Sequence, residues 1–261
     1  MQEFGICNLS LVPLRKGASD KSEMLSQLLF GDLFTIIEKT EKWVRIKTDY
    51  DDYEGWIDGK QYAAMSFDEF TAAKNSLNVL PIGAAYPVSR TSSRETFYIT
   101  GGSSVPFLEN KRFRIKNDFY EFLDDPVKPE KLNFTEHITA VSSFYLNSPY
   151  LWGGRSVFGV DCSGFVQMVY KQFNIRLKRD AWQQAEQGRE VNEILEVRLG
   201  DLVFFDNAEG RIVHVGIALD NSRIIHASGR VRIDKLDEEG IYNEELKRHT
   251  HKFCSIKRFN S

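Results

Sequence analysis

Three residues in the second half of the chain have the types needed for covalent catalysis: Cys162, His214 and His226. A thiol needs a base to take its proton, and that base needs a third group to fix its ring. Cys162 lies in Gly159-Val160-Asp161-Cys162-Ser163-Gly164, between Trp152-Gly153-Gly154-Arg155 and the apolar stretch from Phe165 to Phe173. Valines, aromatics and Met168 recur in that stretch at three- and four-residue steps, which is helical spacing. Asp161 then caps the helix and Cys162 sits in its first turn. Unpaired backbone N–H groups and the positive end of the helix dipole favour a thiolate there. Cys162 is therefore expected to be the most reactive of the thiols, and the flanking glycines to let a bulky substrate approach the backbone.

His214 precedes Val215-Gly216-Ile217 and His226 precedes Ala227-Ser228-Gly229, in apolar runs joined by a short turn. In an antiparallel hairpin such positions can face one another across the pair. Each residue also has a plainer reading, a buried cysteine in a helix and core imidazoles satisfied by carbonyls. One cysteine and two histidines are also zinc-ligand types, but a structural site needs a fourth. His249 and His251, within Lys247-Arg248-His249-Thr250-His251-Lys252, read as a solvated face. No metal or other cofactor is expected.

The elements that must carry these residues follow from the apolar pattern. Residues 133–146 read as a helix capped near Asn133 or Thr135, and the Cys162 helix comes next. Three apolar runs at 201–205, 213–219 and 223–227, with a last one within 253–259, read as an antiparallel meander. Helices followed by a sheet make residues 133–261 an α+β domain. Two prolines among charges mark a linker at 124–132. Upstream, residues 1–62 read as short strands at 6–14, 28–37, 43–47 and 53–57 in a small barrel, the second broken by Gly31-Asp32. Ser66 and Glu69 form a capping-box pattern in a helical connector at 63–76. Residues 77–123 read as a second, diverged small barrel, with strands near 95–100 and 112–116 around the turn Gly101-Gly102.

Composition narrows the class. The chain has 261 residues and a formal net charge of −3, so it carries no nucleic-acid footprint. No apolar run is long enough to cross a bilayer. Cys7, Cys162 and Cys254 are odd in number and widely spaced, with no CxxC pair and no disulfide framework. Reduced thiols and a first stretch without a basic-then-apolar signal pattern give a cytoplasmic expectation. An exported protein trimmed of its signal reads the same way.

Residues 133–261 resemble the NlpC-type cysteine peptidases, papain-like enzymes that cut peptidoglycan peptides. The resemblance lies in Asp161-Cys162-Ser163-Gly164-Phe165, Gly200-Asp201-Leu202-Val203-Phe204-Phe205, His214-Val215-Gly216 and His226-Ala227. The strand order of the first barrel, ending in Gly55-Trp56-Ile57, resembles bacterial SH3-like domains. The whole organisation is similar to γ-D-glutamyl-L-diamino-acid peptidases, with two SH3-like barrels before a papain-like domain. That resemblance implies Cys162 as nucleophile, His214 as base and His226 as the orienting group. It implies a murein peptide as partner, L-Ala-γ-D-Glu followed by diaminopimelate or lysine, with a free N-terminal L-Ala, in cell-wall peptide recycling.

It also implies a set of substrate contacts. Asp161, Glu23 and Tyr53 would hold the L-Ala amine, Ser163 the substrate carboxylate, and Trp152 would wall the pocket. Arg179-Asp180-Ala181-Trp182 matches a cleft-lining segment through Asp180, and Ala181 stands where some relatives carry a hydroxyl. Plainer roles stay open: a helix cap, a solvated Glu, a strand-edge Tyr, a core Trp. The competing functions are an exported wall hydrolase, a peptidoglycan-binding protein with secondary catalysis, and an acyltransferase on the same scaffold.

Overall fold

The computed structural model describes residues 2–124 and 131–259, and the chain forms two units, residues 1–130 and 131–261. Of the expected linker at 124–132, residues 125–130 lie outside the described residues.

In the first unit, β1 (Glu3–Ile6), β2 (Leu11–Arg15), β3 (Met24–Leu29), β4 (Leu33–Lys39), β5 (Trp43–Thr48), β6 (Glu54–Asp58) and β7 (Ala63–Met65) form one antiparallel sheet in the order β3-β2-β6-β5-β4-β1-β7. Burial alternates along β5, with Val44, Ile46 and Thr48 inside, as a strand with one face on a core requires. Val12, Leu14 and Leu28 near one edge share a core with Phe34, Ile36, Val44, Ile46 and Ile57, so the sheet wraps around it as a barrel. Gly31, at φ +82°, splits the 28–37 run, and a Cβ there would meet the Ser104 carbonyl oxygen. The expected single strand at 6–14 is two strands, because Cys7 leaves the ladder to exchange backbone hydrogen bonds with the Gly31-Asp32 turn. β7 pairs with β1, which carries the barrel sheet past the expected boundary at 62. α1 (Phe67–Lys74) begins with the expected capping box between Ser66 and Glu69.

Residues 77–123 differ from the expected second barrel. The strands are β8 (Leu77–Val79), β9 (Tyr86–Arg90), β10 (Thr96–Ile99), β11 (Ser104–Pro106), β12 (Arg112–Ile115) and β13 (Asp118–Phe122). They split into a four-stranded sheet, β10-β9-β13-β12, and a separate ribbon, β8 with β11. Phe107 and Asn110 adopt positive φ just after Pro106, which turns the chain out of β11 before it can join the larger sheet. Among the described residues, its buried side chains share one cluster with those of the first barrel. Phe30 stands edge-on to Phe113 and Tyr120, and one cluster runs from Phe4, Ile6 and Leu33 through Leu80 and Val88 to Phe122.

In the second unit, α2 (Phe134–Ser143) starts at Asn133, whose side chain accepts from the Glu136 N–H at 3.2 Å. The hairpin β14 (Arg155–Ser156) and β15 (Gly159–Val160) leads into α3 (Cys162–Lys171), and α4 (Ala181–Gln184) follows. The remaining strands are β16 (Arg189–Val191), β17 (Leu202–Asp206), β18 (Ile212–Ala218), β19 (Arg223–Ser228), β20 (Arg230–Asp237), β21 (Gly240–Asn243) and β22 (Arg248–Arg258). Their order is β16-β22-β17-β18-β19-β20-β21, and β21 pairs back onto β22, so six strands close into a ring. Every residue of α3 is buried, and the helix packs on β18 and β19. Phe134 of α2 sets its ring edge-on to Tyr170 and Phe173. The expected meander is β17 to β19; β20, rich in charge, and the short β21 close the ring beyond it. Among the described residues no helix is long and apolar enough to cross a membrane.

Candidate active site

Cys162 is the first residue of α3, and Asp161 is its N-cap, accepting from the Gly164 N–H at 2.7 Å. Asp161 does much more than cap. It takes Arg179 in a two-pronged pair at 3.0 and 2.6 Å and the Gly153 N–H at 2.8 Å, with both partners of the ion pair buried. Arg179 also donates to Ser163 Oγ at 2.9 Å. A carboxylate offers about four lone-pair sites, and protein donors occupy those of Asp161, so toward a substrate amine it offers charge rather than a free acceptor. Gly153, at φ +77°, can aim its N–H at Asp161. The missing Cβ of Gly164 makes room for the Gly154 carbonyl, which would lie 2.2 Å away. That glycine serves packing of the loop on the helix, where substrate approach was expected.

Burial opposes a resting thiolate. Burial pushes Cys162 up to about 12, and the charge of Asp161 adds to that; hydrogen bonds from the backbone N–H groups of Val215 and Ser163 pull the other way and lose. The helix tip is therefore outweighed by desolvation. Val215 directly follows His214, so its contact with the sulfur brings β18 and His214 to the helix tip.

From His214 a chain of side chains runs inward. His214 Nε2 and His226 Nδ1 are 2.8 Å apart, and His226 Nε2 lies 3.0 Å from Asp234 Oδ2 on β20. Gly216 pairs with His226, so the two histidines meet on a diagonal between β18 and β19. A Cβ at Gly216 would lie 2.9 Å from His226 Cβ, and the bare backbone is what lets that ring cross. Arg232 donates through Nη2 to the other carboxylate oxygen, Oδ1, at 2.9 Å. Burial pushes the Asp234 carboxyl up, but its bonds to His226 and Arg232 prevail and hold it below its ordinary value. An ionised carboxylate only accepts, so His226 carries its proton on Nε2 and presents a lone pair on Nδ1. His214 must then donate through Nε2, which leaves its Nδ1 unprotonated. Burial, then the neighbouring His226 and His251, hold His214 well below the usual histidine range. The resting pair is a neutral thiol and a neutral imidazole.

Two further groups enter the site that the motif reading passed over. His251, expected on a solvated face, stacks on His214 with ring centroids 4.1 Å apart and 25° between planes. β22 shifts register against both β17 and β21, and this irregular strand turns His251 onto the His214 ring while His249 stays outside, bonded to Asp237. Burial and His226 lower His251 to about 4. Tyr150 stands close enough to Cys162 and Asp161 that their charges, after burial, hold its hydroxyl pKa up. The only sequence signals were a tyrosine before the Trp152 loop and a histidine two residues from another.

The remaining expected residues fall at several places. Trp152 is 59% exposed in the loop leading to β14, and Asp180 caps α4, its N–H donating to Gln183. Ala181, buried, starts that helix. Glu23 and Tyr53 belong to the first unit. Glu23 pairs with Lys16 at 3.2 Å, and Tyr53 packs on the barrel core and donates its N–H to Thr48 Oγ1.

A cysteine at the tip of a buried helix, with an imidazole relay on the strands beneath it, is the layout of a papain-like cysteine peptidase. Known proteins agree. Residues 147–250 match the NlpC/P60 family, and residues 14–61 match the bacterial dipeptidyl-peptidase Sh3 domain. The chain is 29% identical to the gamma-D-glutamyl-L-lysine dipeptidyl-peptidase of Bacillus subtilis over 94% of this chain and 84% of that one. It is 33% identical to the probable endopeptidase NlpC of Escherichia coli over 44% of this chain and 79% of that one. A crystal structure of an NlpC/P60 family protein from Bacillus cereus superposes with a TM-score of 0.80 at 20% identity, covering 98% of this chain and 99% of the other. The chain belongs to the NlpC/P60 family of cysteine peptidases, with an SH3-like domain before the catalytic domain.

Proposed function

We propose that this enzyme hydrolyses peptidoglycan-derived peptides, cutting the bond between γ-D-glutamate and the following L-diamino acid in peptides with a free N-terminal L-Ala. The observation that carries the reading is the relay Asp234–His226–His214 ending beside the Cys162 helix tip. His214 Nδ1 takes the thiol proton as Cys162 Sγ attacks the γ-glutamyl carbonyl. The same imidazolium then protonates the leaving amine, and water deacylates the thioester with His214 as base. His226 fixes the ring and Asp234 stabilises the positive charge that develops on the pair. Backbone N–H groups at the start of α3 would receive the oxyanion. None of these steps calls on a metal.

The substrate assignment draws on the Bacillus subtilis relative, a gamma-D-glutamyl-L-lysine dipeptidyl-peptidase. Asp161 supplies negative charge next to the thiol; Glu23 and Tyr53 are assigned to the L-Ala amine, Ser163 to a substrate carboxylate, and Trp152 and Asp180 to the rim. That specificity suits a role in recycling released wall peptides in the cytoplasm. The test is hydrolysis of L-Ala-γ-D-Glu-diaminopimelate and of its lysine counterpart, each with and without N-acetylation. Release of L-Ala-D-Glu only from the free-amine peptides supports the reading, and equal rates on the acetylated peptides reject the amine requirement.

A further inference from the structure

The relay needs two histidines, and the structure supplies three. Ligand atoms of His214, His226 and His251 all lie within 4.8 Å of one another. Each of two rings has its far nitrogen committed elsewhere. His226 Nε2 donates to Asp234 at 3.0 Å, and His251 Nδ1 bonds Thr250 Oγ1 at 2.9 Å, a hydroxyl that itself donates to the Ile241 carbonyl at 3.4 Å. The inward nitrogens, His226 Nδ1 and His251 Nε2, are then lone pairs. A carboxylate behind a histidine, as Asp234 stands behind His226, is the outer-shell arrangement that orients imidazole ligands on zinc. Three imidazoles are a sufficient protein ligand set for an open zinc site.

We propose that His214, His226 and His251 form a binding site for a divalent transition metal of the zinc type, and that filling it switches the peptidase off. The ion replaces the proton between His214 and His226. That proton moves from His214 Nε2 to Nδ1, so three neutral rings bind with no net proton release, and the nitrogen that would deprotonate Cys162 is blocked. Zinc–nitrogen bonds of about 2.0–2.1 Å draw the nitrogens closer than they now stand, so half-buried His251 turns out of its stack on His214 to bind. The inhibitory part rests on the proposed catalytic role of His214; the binding part does not.

The experiment titrates metal-stripped full chain with zinc against a chromophoric chelator, for wild type, Cys162→Ala, His251→Phe and Asp234→Asn, and records the cobalt spectrum of each. One ion per chain is expected, with wild type and Cys162→Ala alike and no sulfur-to-cobalt charge-transfer band. His251→Phe keeps a ring on His214 but should bind at least about 100-fold more weakly, and Asp234→Asn about tenfold or more. Tripeptide hydrolysis should fall with the same zinc midpoint and return with a chelator. No stoichiometric binding, unchanged affinity in His251→Phe, or binding lost in Cys162→Ala would overturn the site. A chain that binds zinc yet cleaves no tripeptide removes the proposed function and leaves the site standing; a chain that cleaves but does not bind does the reverse.

Discussion

At the scale of single residues, catalysis turns on who holds the proton. Cys162 is raised to about 12 and His214 is held well below its ordinary value of 6.5, both by burial first. A raised thiol ionises only as pH climbs, which disfavours a preformed ion pair. In a Cys254→Ser chain, which removes the exposed thiol, iodoacetamide labelling of Cys162 should accelerate steadily from pH 7 into the alkaline range. A labelling rate flat from about pH 5 upward would instead show the lowered thiol pKa of a cysteine–histidine ion pair. A lowered imidazole stays neutral in mild acid, so kcat/KM should hold its plateau below pH 6.5 and fall only further down. Asp234→Asn presents His226 Nε2–H with an amide that carries no charge, and kcat should drop by about 100-fold with KM little changed. These two features set burial against the thiolate expected from the motif. Helix position speaks for a thiolate, but depth of burial, which no local pattern encodes, speaks louder.

At the scale of elements, α3 is the piece everything else locates. Its start was legible because capping chemistry and 3.6-residue periodicity are local, and β17 to β19 were legible as apolar runs. β20 and the first half of β22 were not, because Asp234 and His251 are polar residues whose burial depends on closure of the ring and on the register shifts of β22. The α3 tip is pinned by Arg179, almost wholly buried with Asp161. Removing one partner of such a pair leaves an unpaired buried charge and costs about 3–5 kcal/mol. Arg179→Met should therefore lower the melting temperature of the catalytic unit by roughly 10 °C, read by calorimetry. An unchanged transition would mean that the pair does not hold the helix start.

At the scale of the molecule, the division into an N-terminal SH3-like part and a catalytic part was readable from the proline-rich charged stretch and the strand spacing. The form of residues 77–123 was not, since a small sheet that borrows its core from a neighbour looks, strand by strand, like an independent barrel. Phe30 sits where both pieces meet, fully buried against Phe97, Phe113 and Tyr120. Phe30→Ala should cost about 3–5 kcal/mol and shift the unfolding of residues 2–124 as one transition, followed by hydrogen exchange. Protection lost in β9 to β13 alone would show two separable cores.

The central claim is that Cys162 carries the dipeptide between the two halves of the reaction. Acid-quenched mixtures of enzyme and L-Ala-γ-D-Glu-diamino acid peptide, read by intact mass and peptide mapping, test it directly. The account predicts one L-Ala-γ-D-Glu acyl group on the peptide bearing Cys162, absent from Cys162→Ala along with all hydrolysis. An adduct on another residue, or hydrolysis undiminished in Cys162→Ala, would contradict it.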